Sequence, residues 1–161
     1  MIFQVMNRQK ARNYTYQEHG HNYIIVSISD IGDQPNQFNR SPECLAVLKL
    51  QFNDTEKPDP TAITPTDAEK IIAFVNQYID QTDEIIVHCE GGVSRSAGVC
   101  AALMYIITGD DQYIFDNPKF CPNMTCYTSV LTAYFGSYDK EQVAAKARHS
   151  IEVWRKVNDL D

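Results

Sequence analysis

The feature that most constrains the fold of this chain is a glycine-rich segment between an apolar strand and an apolar helix. Residues 84–87 read Glu-Ile-Ile-Val, a β-branched run that predicts a buried strand, and residues 97–108 are apolar and predict a helix. Between them lie Cys89 and Arg95, six positions apart. This order places the connecting loop at a helix N-terminus, where unpaired backbone NH groups and the helix dipole favour an anion. We therefore expect the loop to form a cradle for a phosphate group.

The side chains of this loop have the chemistry of a phosphate-transfer site. A cysteine beside an arginine at a helix N-terminus favours the nucleophilic thiolate, and Cys89 holds that position. The planar guanidinium of Arg95 can bind two phosphate oxygens at once, which a lysine does less well. Ser96 is placed to donate a hydrogen bond to the cysteine sulfur when it is the leaving group. Gly91 and Gly92 allow the backbone to curl so that successive NH groups point inward.

Residues 88–96, His-Cys-Glu-Gly-Gly-Val-Ser-Arg-Ser, resemble the signature of the cysteine-dependent protein tyrosine phosphatase superfamily, His-Cys-x-x-Gly-x-x-Arg-Ser/Thr. Every fixed position is filled, and the Val-Ser-Arg-Ser segment is most similar to the dual-specificity branch. The resemblance implies a two-step reaction that needs neither metal nor other cofactor. In it Cys89 takes the phosphoryl group, an upstream aspartic acid protonates the leaving oxygen, and water hydrolyses the phosphocysteine.

The resemblance also assigns the rest of the loop. The residues it implies in phosphate binding are Glu90, Gly91, Gly92, Val93, Ser94 and Arg95. His88 precedes the nucleophile, but its strand position would bury it, so we expect it to shape the loop by hydrogen bonding. Phosphoinositide-directed members tend to carry basic residues in this loop, and the acidic Glu90 counts against an inositol lipid as substrate.

Three aspartates are candidates for the proton donor. Asp54 follows the apolar run 45–52 at its C-terminal end, where open parallel sheets place their ligand sites. We favour Asp54, because the family's acid also commonly follows a strand directly. Asp59 lies between two prolines and is more simply a turn residue, although the spacing leaves it open as the alternative. Asp30, at the end of the predicted strand that begins at Tyr23, is the third candidate.

Strands and helices alternate along the chain. Strands are predicted near residues 2–5, 23–28, 45–52 and 84–88, and helices at 65–81, at 97–108, from 122 to 134 and from 139 onwards. This alternation predicts an α/β fold with a central, mostly parallel sheet of about four to five strands flanked by helices, similar to dual-specificity phosphatases. In the last helix a stripe at helical spacing is predicted to face inward: Val143, Ala147, Ile151 and Trp154.

Length and composition predict a single catalytic domain over residues 1–161, with 43% hydrophobic residues to form its core. No apolar run approaches the about 20 residues of a membrane span, and residues 1–14 lack a signal-peptide core, so we expect a cytoplasmic protein. The five cysteines lack metal-ligand spacing, which predicts reduced thiols. The net charge of −7 counts against nucleic acid and membranes as partners.

The leading hypothesis is therefore a phosphatase acting on phosphorylated protein or peptide, on phosphotyrosine with phosphoserine and phosphothreonine as further candidates. The polar residues 32–43 form either one rim of the substrate site or a solvated connector. Two alternatives are a phospho-binding module with weak turnover and a rhodanese-like sulfurtransferase. Intact Cys89, Arg95 and Ser96 argue against the first, and the second leaves the Gly-x-x-Arg-Ser continuation unexplained.

Overall fold

A computed structural model describes residues 1–158 as a parallel sheet flanked by helices. The strands are β1 Ile2–Met6, β2 Tyr23–Ser29, β3 Cys44–Gln51 and β4 Glu84–His88. The helices are α1 Arg8–Tyr14, α2 Pro65–Tyr78 with a 3-10 turn at Ile79–Gln81, α3 Arg95–Thr108, α4 Gln112–Phe115, α5 Met124–Phe135 and α6 Lys140–Asn158. The four strands lie in the order β1-β4-β2-β3, and every neighbouring pair is parallel. The predicted fold class is confirmed.

The central strands separate two apolar layers. Side chains of a strand alternate between faces, and in β2 Ile24 and Val26 join the large core under α2, α3 and α5, whereas Tyr23 and Ile25 face the other side. There Ala11 of α1 covers the sheet. Because all strands run in one direction, their carboxyl ends meet at one edge of the sheet, and the loop after β4 lies at that edge.

Local signals explain where the main helices begin and end. Thr64 caps α2 in a capping box with Asp67, with Pro65 in the first turn, and the predicted helix 65–81 is confirmed with its last three residues as the 3-10 turn. Asn123 caps α5 by accepting a hydrogen bond from the amide of Cys126. Helix α3 begins at Arg95, two residues before the predicted start.

Two parts of the prediction need correction. Helices α1 and α4 were not predicted, because α1 buries a single residue and α4 is one turn long. In α6 the inward stripe is wrong at Ile151, whose side chain is 40% exposed. The buried residue of α6 is instead Ser150, and the half-buried Lys146 donates a 2.8 Å hydrogen bond to the buried carboxylate of Asp111. No helix within residues 1–158 combines the length and apolar character needed to cross a membrane.

Candidate active site

The loop of residues 89–94 turns with its carbonyl groups bonded to neighbouring elements. Three of these carbonyls accept from backbone amides outside the loop: Glu90 from Arg8 at 3.2 Å, Val93 from Cys121 at 3.0 Å and Ser94 from Asn123 at 3.0 Å. Among residues 1–158, the amide groups of 90–95 find no hydrogen-bond acceptor. The loop therefore offers a row of unpaired NH donors at the start of α3, which is the arrangement of an anion site.

Gly92 sets the curvature of the loop. Its φ of +66° is in the left-handed region, and an added Cβ would lie 2.6 Å from the amide nitrogen of Asn7 and 2.7 Å from the carbonyl carbon of Met6. Gly91 has an ordinary φ, and a Cβ there would meet open space. Of the two glycines predicted to curl the loop, the structure therefore requires glycine at Gly92.

The predicted nucleophile lies at the floor of the loop. Cys89 is 2% exposed, and its Sγ lies 3.0 Å from the hydroxyl of Ser96 in the first turn of α3. Toward a thiolate the hydroxyl is the only possible donor of this pair. The structure thus places Ser96 where it can stabilise negative charge on the sulfur.

His88 lies beneath the loop and is completely buried. Its Nδ1 lies 3.1 Å from the carbonyl oxygen of Cys89, which can only accept, so we assign the ring proton to Nδ1. Its Nε2 then accepts a 2.6 Å hydrogen bond from the hydroxyl of Ser27. Burial lowers the pKa of His88 to about 4, so the ring is neutral near pH 7. These contacts hold the carbonyl of Cys89 in place.

The guanidinium of Arg95 is held from the ends of β2 and β3. Its Nη1 donates to the carboxylate of Asp30 at 2.5 Å and to the carbonyl oxygen of Phe52 at 2.8 Å. Its Nε is buried and has no hydrogen-bond partner within residues 1–158. A buried donor without an acceptor is costly, and a bound phosphate oxygen would supply that acceptor. Asp30, a candidate acid by sequence, has its carboxylate engaged with this arginine instead.

Asp54 lies against the loop. Its Oδ1 accepts from the hydroxyl of Ser94 at 2.8 Å and from the side-chain amide of Asn123 at 2.9 Å. The next residues extend across the start of α5, where the carboxylate of Glu56 accepts from the amide of Met124 at 2.8 Å. The favoured candidate acid is therefore anchored beside the phosphate cradle while its side chain remains exposed.

Asp59 lies in a turn of its own. Its carboxylate accepts from the hydroxyl of Thr61 at 2.5 Å and from the same residue's amide at 2.7 Å. These two bonds, the hydroxyl first, lower the pKa of Asp59. Within the described residues Asp59 makes no hydrogen bond to the loop, so the structure brings Asp54, and not Asp59, into contact with the loop, at Ser94.

Asn123 is the site residue that sequence reasoning missed. It was predicted only as a helix start, and it does cap α5. The same buried side chain uses its Nδ2 to hold Asp54 and, at 3.3 Å, the carbonyl oxygen of Thr55. A capping residue carries a local signal in the sequence, but a contact to a distant loop does not.

The cysteines and the possible metal ligands outside the loop form no metal site among the described residues. All five cysteines are free, and burial raises the pKa of Cys100 to about 12 and also that of Cys126. In the part of the chain that the structure describes, no three His, Cys, Asp or Glu side chains are grouped so that they could hold a metal ion.

Comparison with known proteins identifies the family of this chain. A family model described as the DSP-PTPase phosphatase of polymorphic toxin systems matches residues 4–110, more than half of the chain, and the match includes most of β1, all of β2, β3 and β4, and the loop. The chain belongs to this family. It is accordingly a phosphatase of the dual-specificity and tyrosine phosphatase superfamily. No curated protein sequence matches the chain significantly.

Several solved structures are also similar. Human DUSP28 is 14% identical with a TM-score of 0.49, and the alignment covers 99% of this chain and 95% of that one. The human tyrosine phosphatase-like serine/threonine/tyrosine-interacting protein is 16% identical with a TM-score of 0.48, covering 90% and 85%. The tyrosine phosphatase OH1 from the Orf virus is 13% identical with a TM-score of 0.44, covering 95% and 82%. Identity this low does not transfer a substrate preference to this chain.

Proposed function

We propose that the chain hydrolyses phosphate esters on proteins, phosphotyrosine foremost, through a phosphocysteine intermediate on Cys89. The observation that carries the proposal is the set of unpaired donors around that cysteine, made of the loop NH groups and the buried Nε of Arg95. A tetrahedral dianion with several oxygens fits such a set better than a neutral ligand does.

In the first step the thiolate of Cys89 attacks phosphorus, and the bond from phosphorus to the ester oxygen breaks. The carboxylic acid of Asp54 gives its proton to the departing oxygen, so the product leaves as an alcohol or phenol. The loop NH groups and Arg95 bind the three remaining oxygens and stabilise the charge that spreads over them in the transition state.

In the second step water attacks the phosphocysteine, and the carboxylate of Asp54 takes a proton from that water. The bond between sulfur and phosphorus breaks, inorganic phosphate forms, and the thiolate is regenerated. The hydroxyl of Ser96, 3.0 Å from the sulfur, donates to the thiolate as it leaves. Each group therefore returns to its starting protonation state.

Phosphotyrosine is proposed as the preferred ester because apolar side chains are exposed beside the cradle. Val93 belongs to the loop, and Ile31 directly follows the aspartate that holds Arg95; their side chains are 36% and 51% exposed. A phenyl ring can pack against such side chains, whereas the short side chain of phosphoserine cannot reach them.

The nucleophile is tested with an aryl phosphate. Cys89→Ser should abolish turnover of p-nitrophenyl phosphate while the protein still binds the phosphate analogue tungstate, because a hydroxyl stays protonated but preserves the shape of the cradle. Cys44→Ser, a half-buried cysteine of β3, is the matched control and should retain turnover. Full activity of Cys89→Ser would refute covalent catalysis by this residue, and sulfur transfer from thiosulfate to cyanide by the wild type would favour the sulfurtransferase alternative.

The proton donor is tested by leaving-group dependence. Asp54→Asn should lower turnover of a phosphotyrosyl peptide about a hundred- to ten-thousandfold. The loss should be smaller for p-nitrophenyl phosphate, because nitrophenolate departs without a proton, and the alkaline limb of the pH–rate profile should disappear. Asp59→Asn is the matched control. If Asp59→Asn shows this dependence while Asp54→Asn behaves like the wild type, Asp59 is the acid.

A further inference from the structure

A second polar pocket of about 520 Å³ adjoins the phosphate cradle. One wall is the start of α1 with its flanking Asn7, a second is residues 34–37 of the β2–β3 connection, and the third is Glu90 and Gly91 of the loop. Because the loop lines both the cradle and this pocket, a ligand group in the pocket lies next to a phosphate bound at Cys89.

The charged side chains of the pocket favour an anion. Arg8 and Arg12 lie one helical turn apart on α1, and Glu90 is the acidic residue among the lining side chains. Arg12 is exposed and has no ion-pair partner within residues 1–158. The pocket is thus a local excess of positive charge on a chain whose net charge is −7.

The guanidinium of Arg8 is already fixed in position. Its Nη2 donates to the carbonyl oxygen of Gln34 at 2.6 Å, and Nη1 lies 3.8 Å from the carboxylate of Glu90. The buried side chain of Asn36 donates to the carbonyl oxygen of Arg8 at 2.9 Å and ties the β2–β3 connection to α1. An arginine held in this way loses little conformational entropy when it binds a second anion.

We propose that this pocket binds a second anionic side chain of a phosphopeptide, a carboxylate or a further phosphate close to the residue that is dephosphorylated. The inference rests on the proposed function and adds a substrate class to it. The side chains of Gln34 and Gln37 can bond to a peptide main chain. A membrane surface or a highly phosphorylated headgroup fits less well, because Glu90 and the net charge of −7 repel dense negative charge. The residues 32–43 would then form one rim of the substrate site, the first of the two interpretations of that segment.

The test measures binding and not turnover. Two peptides carry a non-hydrolysable phosphonate analogue of phosphotyrosine and differ only in their flanking residues, which are aspartate and glutamate in one and asparagine and glutamine in the other. The wild type should bind the acidic peptide about fivefold more tightly, as expected of an exposed ion pair. Arg12→Ala should lower the ratio, and Arg12→Ala combined with Arg8→Ala should bring it close to one. Lys10→Ala, on the same helix but outside the pocket, should leave the ratio unchanged.

Three results would overturn the inference. The first is equal affinity of the wild type for the two peptides, and the second is an unchanged preference for the acidic peptide in Arg12→Ala. The third is a loss of this preference in Lys10→Ala as large as in Arg12→Ala, which would mean that the net charge of the protein determines it. Arg12-dependent binding to phosphatidylserine vesicles that is tighter than to the acidic peptide would instead assign the pocket to a lipid surface. Hydrolysis of p-nitrophenyl phosphate by the wild type, measured in parallel, tests the proposed function separately. If the wild type hydrolyses p-nitrophenyl phosphate but binds both peptides equally, the proposed role of the pocket is refuted. If it prefers the acidic peptide but does not hydrolyse p-nitrophenyl phosphate, the phosphatase reaction is refuted.

Discussion

Gly91 and Gly92 are neighbours in the phosphate loop, and we predict that alanine is tolerated at the first and not at the second. At Gly92 the φ of +66° costs an alanine roughly 1–2 kcal/mol. The new Cβ would also lie 2.6 Å and 2.7 Å from backbone atoms of Asn7 and Met6, which cannot rotate away as a side chain can. Relieving such overpacking costs about 1–3 kcal/mol, so Gly92→Ala should lose about 2–5 kcal/mol of unfolding free energy in total. At Gly91 neither cost applies.

Urea denaturation checks this difference. Domains typically have a stability of about 5–15 kcal/mol, so Gly92→Ala should remain folded in water with a clearly lower midpoint. Gly91→Ala should lie within about 0.5 kcal/mol of the wild type. The loop in Gly92→Ala must also move away from the β1–α1 junction, and a displacement of about 1 Å should lower kcat/KM for p-nitrophenyl phosphate about a hundredfold. Equal midpoints for the two variants would refute the contact and the strain on which the reasoning depends.

Three further predictions concern the side chains around the loop. Arg95→Lys should lose both turnover and phosphate affinity, because an ammonium cannot reproduce the contacts to Asp30 and Phe52 and still bind two phosphate oxygens. Steady-state kinetic constants within a few-fold of the wild type would contradict this prediction. Ser96→Ala should slow breakdown of the phosphocysteine more than its formation, and rapid-quench experiments that trap no additional intermediate would count against it. Burial lowers the pKa of His88 to about 4 in the folded protein, below its value of about 6.5 in the unfolded chain. Between pH 6.5 and pH 4 the unfolded chain therefore binds a proton that the folded protein does not bind. The free energy of unfolding should fall by up to about 3 kcal/mol as the pH drops through this range. His88→Gln should lack that part of the pH dependence in urea titrations, and identical pH profiles would refute it.

The elements predicted from sequence are those with a strong local signal. Short apolar runs predicted the four strands, and a periodic apolar face after Thr64 and Pro65 predicted α2, which the structure caps with Thr64 and Asp67. Helix α1 has no such face: Ala11 is its buried residue, and the helix is stabilised by packing on a sheet that forms from distant parts of the chain. Tertiary contacts, not propensity, decide whether such a short segment is helical.

The same distinction applies to the site. Cys89, Arg95 and Ser96 are close in sequence, so one local motif predicts their proximity. The contacts that orient them are not local, because Asp30 meets Arg95 across 65 positions and Asn123 meets Asp54 across 69. The contact between Asp30 and Arg95 depends on the strand order β1-β4-β2-β3, which the spacing of strands along the chain does not determine.

That strand order explains how one loop can be both rigid and able to bind phosphate. Because β4 lies between β1 and β2, the backbone of the loop is anchored on the β1 side, where Gly92 contacts Met6 and the amide of Arg8 bonds to Glu90. The guanidinium of Arg95 is oriented from the other side, by Asp30 at the end of β2. Asp30 binds Nη1 and leaves Nε unpaired, so the carboxylate and a phosphate need not compete for the same edge of the guanidinium. An arginine already held by a carboxylate needs little reorganisation to bind the phosphate, and this favours the transition state.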